Sequence, residues 1–283
     1  MATRFGWDLG GVNLKLARVE DGQVGSVTQI PCPALAEPRK YSLDGFVDAH
    51  GAVTGWQDVA SANWHASAAL AAAVEDSGLL VDVGTTTTDL IPFKQGHPCA
   101  VGRTDGDRLT EGELIYRGVV RTPVMAVAGR APFKGRMQGL AAERFATMAD
   151  VYRLTGQLPE DADPFPSADN RGKDLEESAA RLARMLGRDA EDADIVAWRA
   201  LADFLARRLL DQIEADARAV IERDGLNPDA PIVGAGCGRF LAAALADRLG
   251  CPYRDFADLT PCADEAREMV ARCAPAAAVA QLA

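Results

Sequence analysis

The chain has 283 residues, with 30 Lys and Arg against 41 Asp and Glu, a net charge of −11. That acidity argues against nucleic acid or an anionic membrane as a partner, so an anionic ligand must be held by a local site, and the length suffices for one large or two modest domains with a sizeable core. The six cysteines (Cys32, Cys99, Cys237, Cys251, Cys262, Cys273) form no CxxC pair, and no signal peptide or bilayer-length apolar run is present, so the chain reads as a soluble cytoplasmic protein without zinc knuckle or disulfide framework.

Arg4 to Ile30 reads as three short strands. The first ends at Asp8, Gly10 and Gly11 form a turn, Asn13 is polar, and the second strand runs Leu14 to Val19. Asp21 and Gly22 then turn the chain into a third strand, Gln23 to Ile30. A Pro- and Gly-rich stretch of weak periodicity follows, and Ala62 to Ser77 reads as an Ala-rich helix stopped by Gly78, with Trp64 and Leu70 on its buried side. Asn63 at its start suits an N-cap before it suits a substrate contact. His65 has no partner that would make it a base, and His50 and His97 lie in turns.

Leu79 to Phe93, LLVDVGTTTTDLIPF, is the most informative stretch. A buried strand ends in Asp82, Gly84 lets the backbone turn, and Thr85, Thr86, Thr87 and Thr88 present hydroxyls and amides. Successive N–H groups in such a turn form an anion-binding concavity, to which threonine hydroxyls add donors. Asp82 and Asp89 would repel a polyphosphate, which suggests a bridging divalent cation or a proton-accepting role. A plain β-hairpin explains the same residues equally well. The balance shifts because Phe5 to Val19 repeats the order of strand, Asp, Gly, polar turn and strand, which implies two related half-domains with a ligand between them.

HPCAVG ends another strand, and Gly102 to Arg121 carries mixed charge, read at Arg117 as a solvated helix face with weak pairs. Arg121, before the rigid Pro123, is a credible ligand for phosphate oxygens or a carboxylate. Val124 to Ala128 reads as a buried strand, and Glu143 to Gly225 as mostly helical. Leu175, Ala179, Leu182 and Leu186 have helical spacing with Gly187 as stop; Trp198, Leu201, Leu205, Leu209, Ile213 and Val220 form a core stripe on a longer helix. DPFPSADNRGKD between them is a loop. Pro231 to Gly238 is a strand with glycines, where Gly234, Gly236 and Gly238 would let backbone approach a flat ring, followed by a helix from Arg239 to Leu249 that Gly250 ends. Glu265 to Ala280 reads as a final Ala-rich helix that packs back on the first half-domain.

DLGGVNLK and DVGTTTTDL resemble the paired phosphate motifs of the actin, sugar kinase and Hsp70 superfamily, and IVGAGCGRFL (Ile232 to Leu241) resembles its nucleotide-side glycine motif. SANWHASA, GRTDGDRLTEGELIYRGVVRTPV, ERFATMADVYRLTG and RLARMLGRD, with the threonine motif, resemble more narrowly a hydantoinase and oxoprolinase-like branch, similar from Trp56 onward. That branch includes methanofuran-biosynthesis synthases, with relatives linked to tetrahydromethanopterin-dependent C1 metabolism.

The resemblance implies an α/β fold of two ribonuclease H-like half-domains around a central cleft. The first spans residues 1–78 with a C-terminal helix at 260–283, shortened where the family carries another strand and helix. The second spans 79–259 with a helical insertion at about 140–225, a place where such proteins often build oligomer contacts. The implied activity is transfer of an aminomethylfuran-methyl group from its diphosphate to the phenol of glutamyl-tyramine, so both partners are small molecules. Catalysis would fall to Asp8, Lys15, Asp82 and Asp89, with Mg²⁺ near Asp8 or Asp82. Gly10, Gly11, Asn13, Gly84 and Thr85 to Thr88 would bind phosphate; Asn63, Asp105, Arg108, Arg121, Gly234, Gly236 and Gly238 would lie on the substrate or nucleotide side. The alternatives are ATP-dependent phosphotransfer or hydrolysis, with ATP in the same cradles, and a non-catalytic partner in the pathway.

Overall fold

A computed structural model of the protein describes residues 3–9, 13–31, 40–47, 54, 59 and 62–283. It is a mixed α/β protein. Two compact units divide it: Met1–Asp82 with Asp89–Ile115 and Ala217–Ala283, and Val83–Thr88 with Tyr116–Asp216. This division by compactness is a different cut from the half-domains at 1–78 and 79–259.

In the larger unit, strands β1 (Thr3–Leu9), β2 (Asn13–Glu20) and β3 (Gln23–Pro31) form an antiparallel sheet in that order. Asp21 (φ 50) and Gly22 (φ 82) close the β2–β3 hairpin with the two positive dihedrals that a tight right-twisted turn needs. β4 (Lys40–Ser42) and β5 (Gly45–Val47) make a separate small hairpin.

A second sheet has the order β13–β12–β6–β7–β8, with β9 paired to β7. Its strands are β6 (Ser77–Val83), β7 (Thr88–Lys94), β8 (His97–Pro98), β9 (Leu114–Ile115), β12 (Ile232–Ala235) and β13 (Tyr253–Asp255). β12 runs parallel to both β6 and β13, with Gly234 opposite Val81 and Asp255. Parallel strands buried on both faces need continuous apolar runs, and Leu79, Leu80 and Val81 supply one.

The final helix, Ala274–Leu282, packs on β1, β2 and the helix Asn63–Val74. Its buried alanines bring backbones close, and the same apolar cluster takes in Val19, Trp64, Leu80, Phe93 and Phe256. Three expectations change here. The helix expected to run to Ser77 ends at Val74, and Gly78 lies inside β6, where a Cβ would stand 2.5 Å from the Phe93 ring and 2.8 Å from the Pro231 carbonyl. Asn63 is the first helical residue, so it is not the N-cap; that place falls to Ala62. The last helix breaks at Cys273 into Arg267–Arg272 and Ala274–Leu282, just ahead of Pro275, which has no N–H to carry a helix through.

The hairpin β10 (Arg130–Phe133) and β11 (Arg136–Gly139) of the smaller unit meets the long helix Ile195–Asp224 where Phe133 stacks on Trp198 at 4.7 Å. The expected stripe is buried: Trp198, Leu201, Leu205, Leu209, Ile213 and Val220 are all at most 1% exposed. The helices Met148–Leu154 and Leu175–Met185 pack on each other. Val124 to Ala128 is not a strand: Pro123 leads into a single 3₁₀ turn, Val124–Ala126. Of the mixed-charge stretch only Asp105–Thr110, in the larger unit, is helical.

Candidate functional site

The threonine loop belongs to the smaller unit, and the chain from Gly118 to Arg121 ties it down. The Gly118 amide donates to the Thr86 carbonyl at 3.0 Å and the Val119 amide to Gly84 at 3.0 Å. Val120 and Arg121 both donate to Thr85, at 3.1 and 2.8 Å, and within the loop the Gly84 amide donates to Thr87 at 2.8 Å. All four carbonyls from Gly84 to Thr87 are thus consumed by internal donors. The N–H groups of Thr85, Thr86 and Thr87 find no acceptor among the described residues. A loop that satisfies its acceptors inward and keeps donors in hand suits an anion.

The four threonines divide by role. Thr88 is fully buried and its hydroxyl donates to the Arg117 carbonyl at 2.7 Å, which commits that hydroxyl to holding the loop. Thr85, Thr86 and Thr87 are half-buried, and the Thr85 and Thr86 hydroxyls lie 3.4 Å apart. Arg117 is not on a solvated helix face: its Nε donates to Gln212 at 3.2 Å and its Nη1 pairs with Asp216. Burial pushes the Asp216 carboxyl up, and Arg117 offsets only part of that.

The chain from Val120 to Arg121 also walls a shallow, open pocket in the same unit. Arg121 and Arg144 line it, with Asp150 and Arg153 on the helix Met148–Leu154, and with Asp163 and Phe165 from the loop expected by its Pro, Asp and Gly content. Beneath it, the fully buried Arg181 binds Asp150 at 2.8 Å and Asp169 at 3.0 Å. Burial alone would raise the Asp169 carboxyl, but the Arg171 N–H and the Arg181 guanidinium outweigh it and hold the carboxyl below its ordinary value. Arg153 joins Asp150 at 3.3 Å and also pairs with Asp163.

In the larger unit a second group of expected residues converges on Cys237, beside the glycine motif. Burial pushes the Cys237 thiol up to about 11, and the thiol also senses the charges of Arg272, Asp82 and Lys15. Lys15 from β2, Asp82 from β6 and the turn after β12 therefore share one neighbourhood, although more than 60 residues separate each from the next.

Asp89 and Arg108 form an ion pair at 2.6 Å, in which Arg108 is only 2% exposed and lies 4.2 Å over the Trp64 ring. Both are fixed to the frame of that unit. Asp105 is exposed at the first turn of its short helix, and Asn63 is exposed. His65, for which no partner was foreseen, shares a 3.1 Å hydrogen bond with the Tyr41 hydroxyl, and burial lowers its basicity. Gly236 has φ 84 and donates to the Ala271 carbonyl at 2.8 Å, so its backbone shape requires glycine. At Gly234 the flat ring that comes close is the protein's own: a Cβ there would stand 2.6 Å from Tyr253. Gly238 precedes the helix Arg239–Leu249.

Gly10 and Gly11, with the side chains of Asp8 and Asn13, lie outside the described residues. Sequence reasoning missed Gly118, Arg144, Arg153 and Asp163: the contact of Gly118 with Thr86 spans more than thirty positions, and Arg144, Arg153 and Asp163 lie in stretches that read as plain helix and loop. Among the described residues, no group of three or more His, Cys, Asp or Glu could hold a metal ion, and no helix is long and apolar enough to cross a membrane.

The hydantoinase/oxoprolinase family profile matches residues 42–260. A (4-{4-[2-(γ-L-glutamylamino)ethyl]phenoxymethyl}furan-2-yl)methanamine synthase of Methanocaldococcus jannaschii is 36% identical over 210 residues, 72% of this chain and 61% of that protein. The chain thus aligns with less than two thirds of that relative's length. A synthase of the same name from Methanococcus vannielii is 29% identical over 153 residues, 54% of this chain and 68% of that protein. Among solved structures, (R)-2-hydroxyglutaryl-CoA dehydratase component A of Acidaminococcus fermentans aligns with a TM-score of 0.44 at 10% identity, covering 100% of this chain and 98% of that one.

Proposed function

Since the chain belongs to the hydantoinase/oxoprolinase family, we propose that it is a transferase that joins an aminomethylfuran-methyl diphosphate to the phenol oxygen of glutamyl-tyramine, with release of diphosphate. The product named for its relatives contains a phenoxymethyl bond between a tyramine ring and a furan. Making that bond requires a phenol oxygen and an activated furan methylene. A furan ring delocalises positive charge at that carbon, so departure of the leaving group limits the reaction. The observation that carries the proposal is the threonine loop, whose carbonyls are all consumed internally while the Thr85 to Thr87 donors are kept for an anion.

In this reading the amides and hydroxyls of Thr85, Thr86 and Thr87 bind the diphosphate, with Gly10, Gly11 and Asn13 as the corresponding turn of the first motif. Lys15 adds a positive charge against the charge that develops as the C–O bond breaks. The phenol, with an ordinary pKa of about 10, attacks the methylene and passes its proton to Asp8, directly or through water; Asp89, held by Arg108, keeps its place in the frame. Mg²⁺ commonly binds through one or two carboxylates and substrate phosphates rather than a protein cage. Asp82 and Asp8 fit that donor set, and the ion would neutralise part of the diphosphate charge.

ATP-dependent phosphotransfer draws less support. Adenosine against Gly234 would compete with the Tyr253 ring that already packs there. The test is incubation of the purified protein with the furan diphosphate and glutamyl-tyramine, followed by mass spectrometry. An ether product with equimolar diphosphate is expected; absence of ether while the protein hydrolyses Mg·ATP would reject the transferase in favour of the ATPase.

A further inference from the structure

We infer that the Arg121–Arg144 pocket is the carboxylate subsite for the amino-acid end of the acceptor. This rests on the transferase reading and names a recognition element within it. Among the described residues, the guanidinium groups of Arg121 and Arg144 have no carboxylate partner. Arg121 meets only a ring face, 5.1 Å from the centre of Phe165. The other cations around the pocket are satisfied: Arg153 is shared by Asp150 and Asp163, Lys173 stands 3.5 Å from Asp163, and Arg181 is held by Asp150 and Asp169. The floor is therefore a neutralised ionic lattice and the mouth carries two uncompensated positive charges, in a chain of net charge −11.

A guanidinium pair offers parallel N–H donors matched to the two oxygens of a carboxylate. A γ-linked glutamyl group keeps its α-carboxylate free at the end of the molecule far from the phenol. Position supports the assignment as well. Val120 and Arg121 line the pocket with their residues and hold the Thr85 carbonyl with their amides, so one short segment joins the carboxylate subsite to the threonine loop. Phe165 gives the methylenes of the glutamyl chain an apolar surface.

Because Arg121 and Arg144 are exposed, both can be replaced without opening a core. The test is calorimetry of the wild type and of the Arg121→Gln/Arg144→Gln variant against glutamyl-tyramine, tyramine and pyrophosphate. The wild type is expected to prefer glutamyl-tyramine over tyramine by about tenfold or more, the scale of charge-assisted hydrogen bonds. The variant should lose that preference and keep its pyrophosphate affinity, and in turnover the acceptor KM should rise by a similar factor while kcat holds. A preference that survives in the variant, or is absent from the wild type, overturns the inference. Joint loss of pyrophosphate binding also overturns it, because the arginines would then serve the phosphates. If the preference is present and arginine-dependent but no ether forms, the subsite stands and the transferase reading falls; if ether forms without any preference, the reverse holds.

Discussion

Gly118 meets the backbone of Thr86 so closely that a Cβ on Gly118 would stand 2.4 Å from the Thr86 nitrogen. The same glycine donates its own amide to the Thr86 carbonyl. The threonine loop is thus shaped by a residue more than thirty positions away, with space for a hydrogen and nothing larger. Gly118→Ala must move backbone, since no flexible side chain can give way. We expect a loss of about 1–3 kcal/mol, read by urea denaturation, together with pyrophosphate binding weakened well beyond what a folded control such as Gly106→Ala shows. Unchanged pyrophosphate affinity would mean that the loop does not bind it.

The Asp89–Arg108 pair predicts a stability defect. Removing Asp89 leaves a guanidinium that is only 2% exposed without its carboxylate, a situation that costs roughly 3–5 kcal/mol. Asp89→Ala should therefore lower the urea midpoint sharply, and Arg108→Met in the same chain should restore part of the loss. If Asp89→Ala leaves stability unchanged and removes only kcat, the carboxylate acts in proton transfer and not in the frame.

Asp169 predicts a pH dependence. Its carboxyl is held below the ordinary value by the Arg171 amide and by Arg181, against the opposing effect of burial. A carboxyl depressed in the folded state stabilises fully above its unfolded pKa, about 3.9, and that contribution is lost as pH falls through the lower folded value. Asp169→Asn should be less stable than wild type at pH 7, by roughly 1–3 kcal/mol. The difference should shrink as pH drops below about 3.9. A gap that persists into strong acid would assign the effect to lost packing.

Gly234 and Tyr253 predict a compensating pair. Gly234→Ala places a methyl 2.6 Å from the phenol ring, an overpacking expected to cost about 1–3 kcal/mol. Thermal melts of Gly234→Ala in the wild-type and Tyr253→Ala backgrounds should show a smaller penalty in the second. Equal penalties would place the constraint on something other than Tyr253.

What the sequence made legible is what local rules determine. The Asp21–Gly22 hairpin, the helix from Arg239 stopped by Gly250, and the buried stripe from Trp198 to Val220 each depend on residues within a few turns of one another, and each is where it was expected. Side-chain partners were not legible, because they are set by packing between distant segments. Thr88 has the same chemistry as its three neighbours, yet its hydroxyl belongs to Arg117. Arg108 looked like a ligand and is a buried partner of Asp89, while Arg144 attracted no notice and faces a pocket. Gly78 was read as a helix stop, although its glycine is required by the Phe93 ring on the next strand.

Amide hydrogen exchange with and without pyrophosphate tests the phosphate cradle most directly, because it reads the very N–H groups assigned to the ligand. Pyrophosphate should slow exchange in peptides covering residues 84–88, with a smaller effect at 118–121 through the carbonyls they hold. Protection that appears elsewhere, while the threonine loop exchanges as in the free protein, would contradict the account.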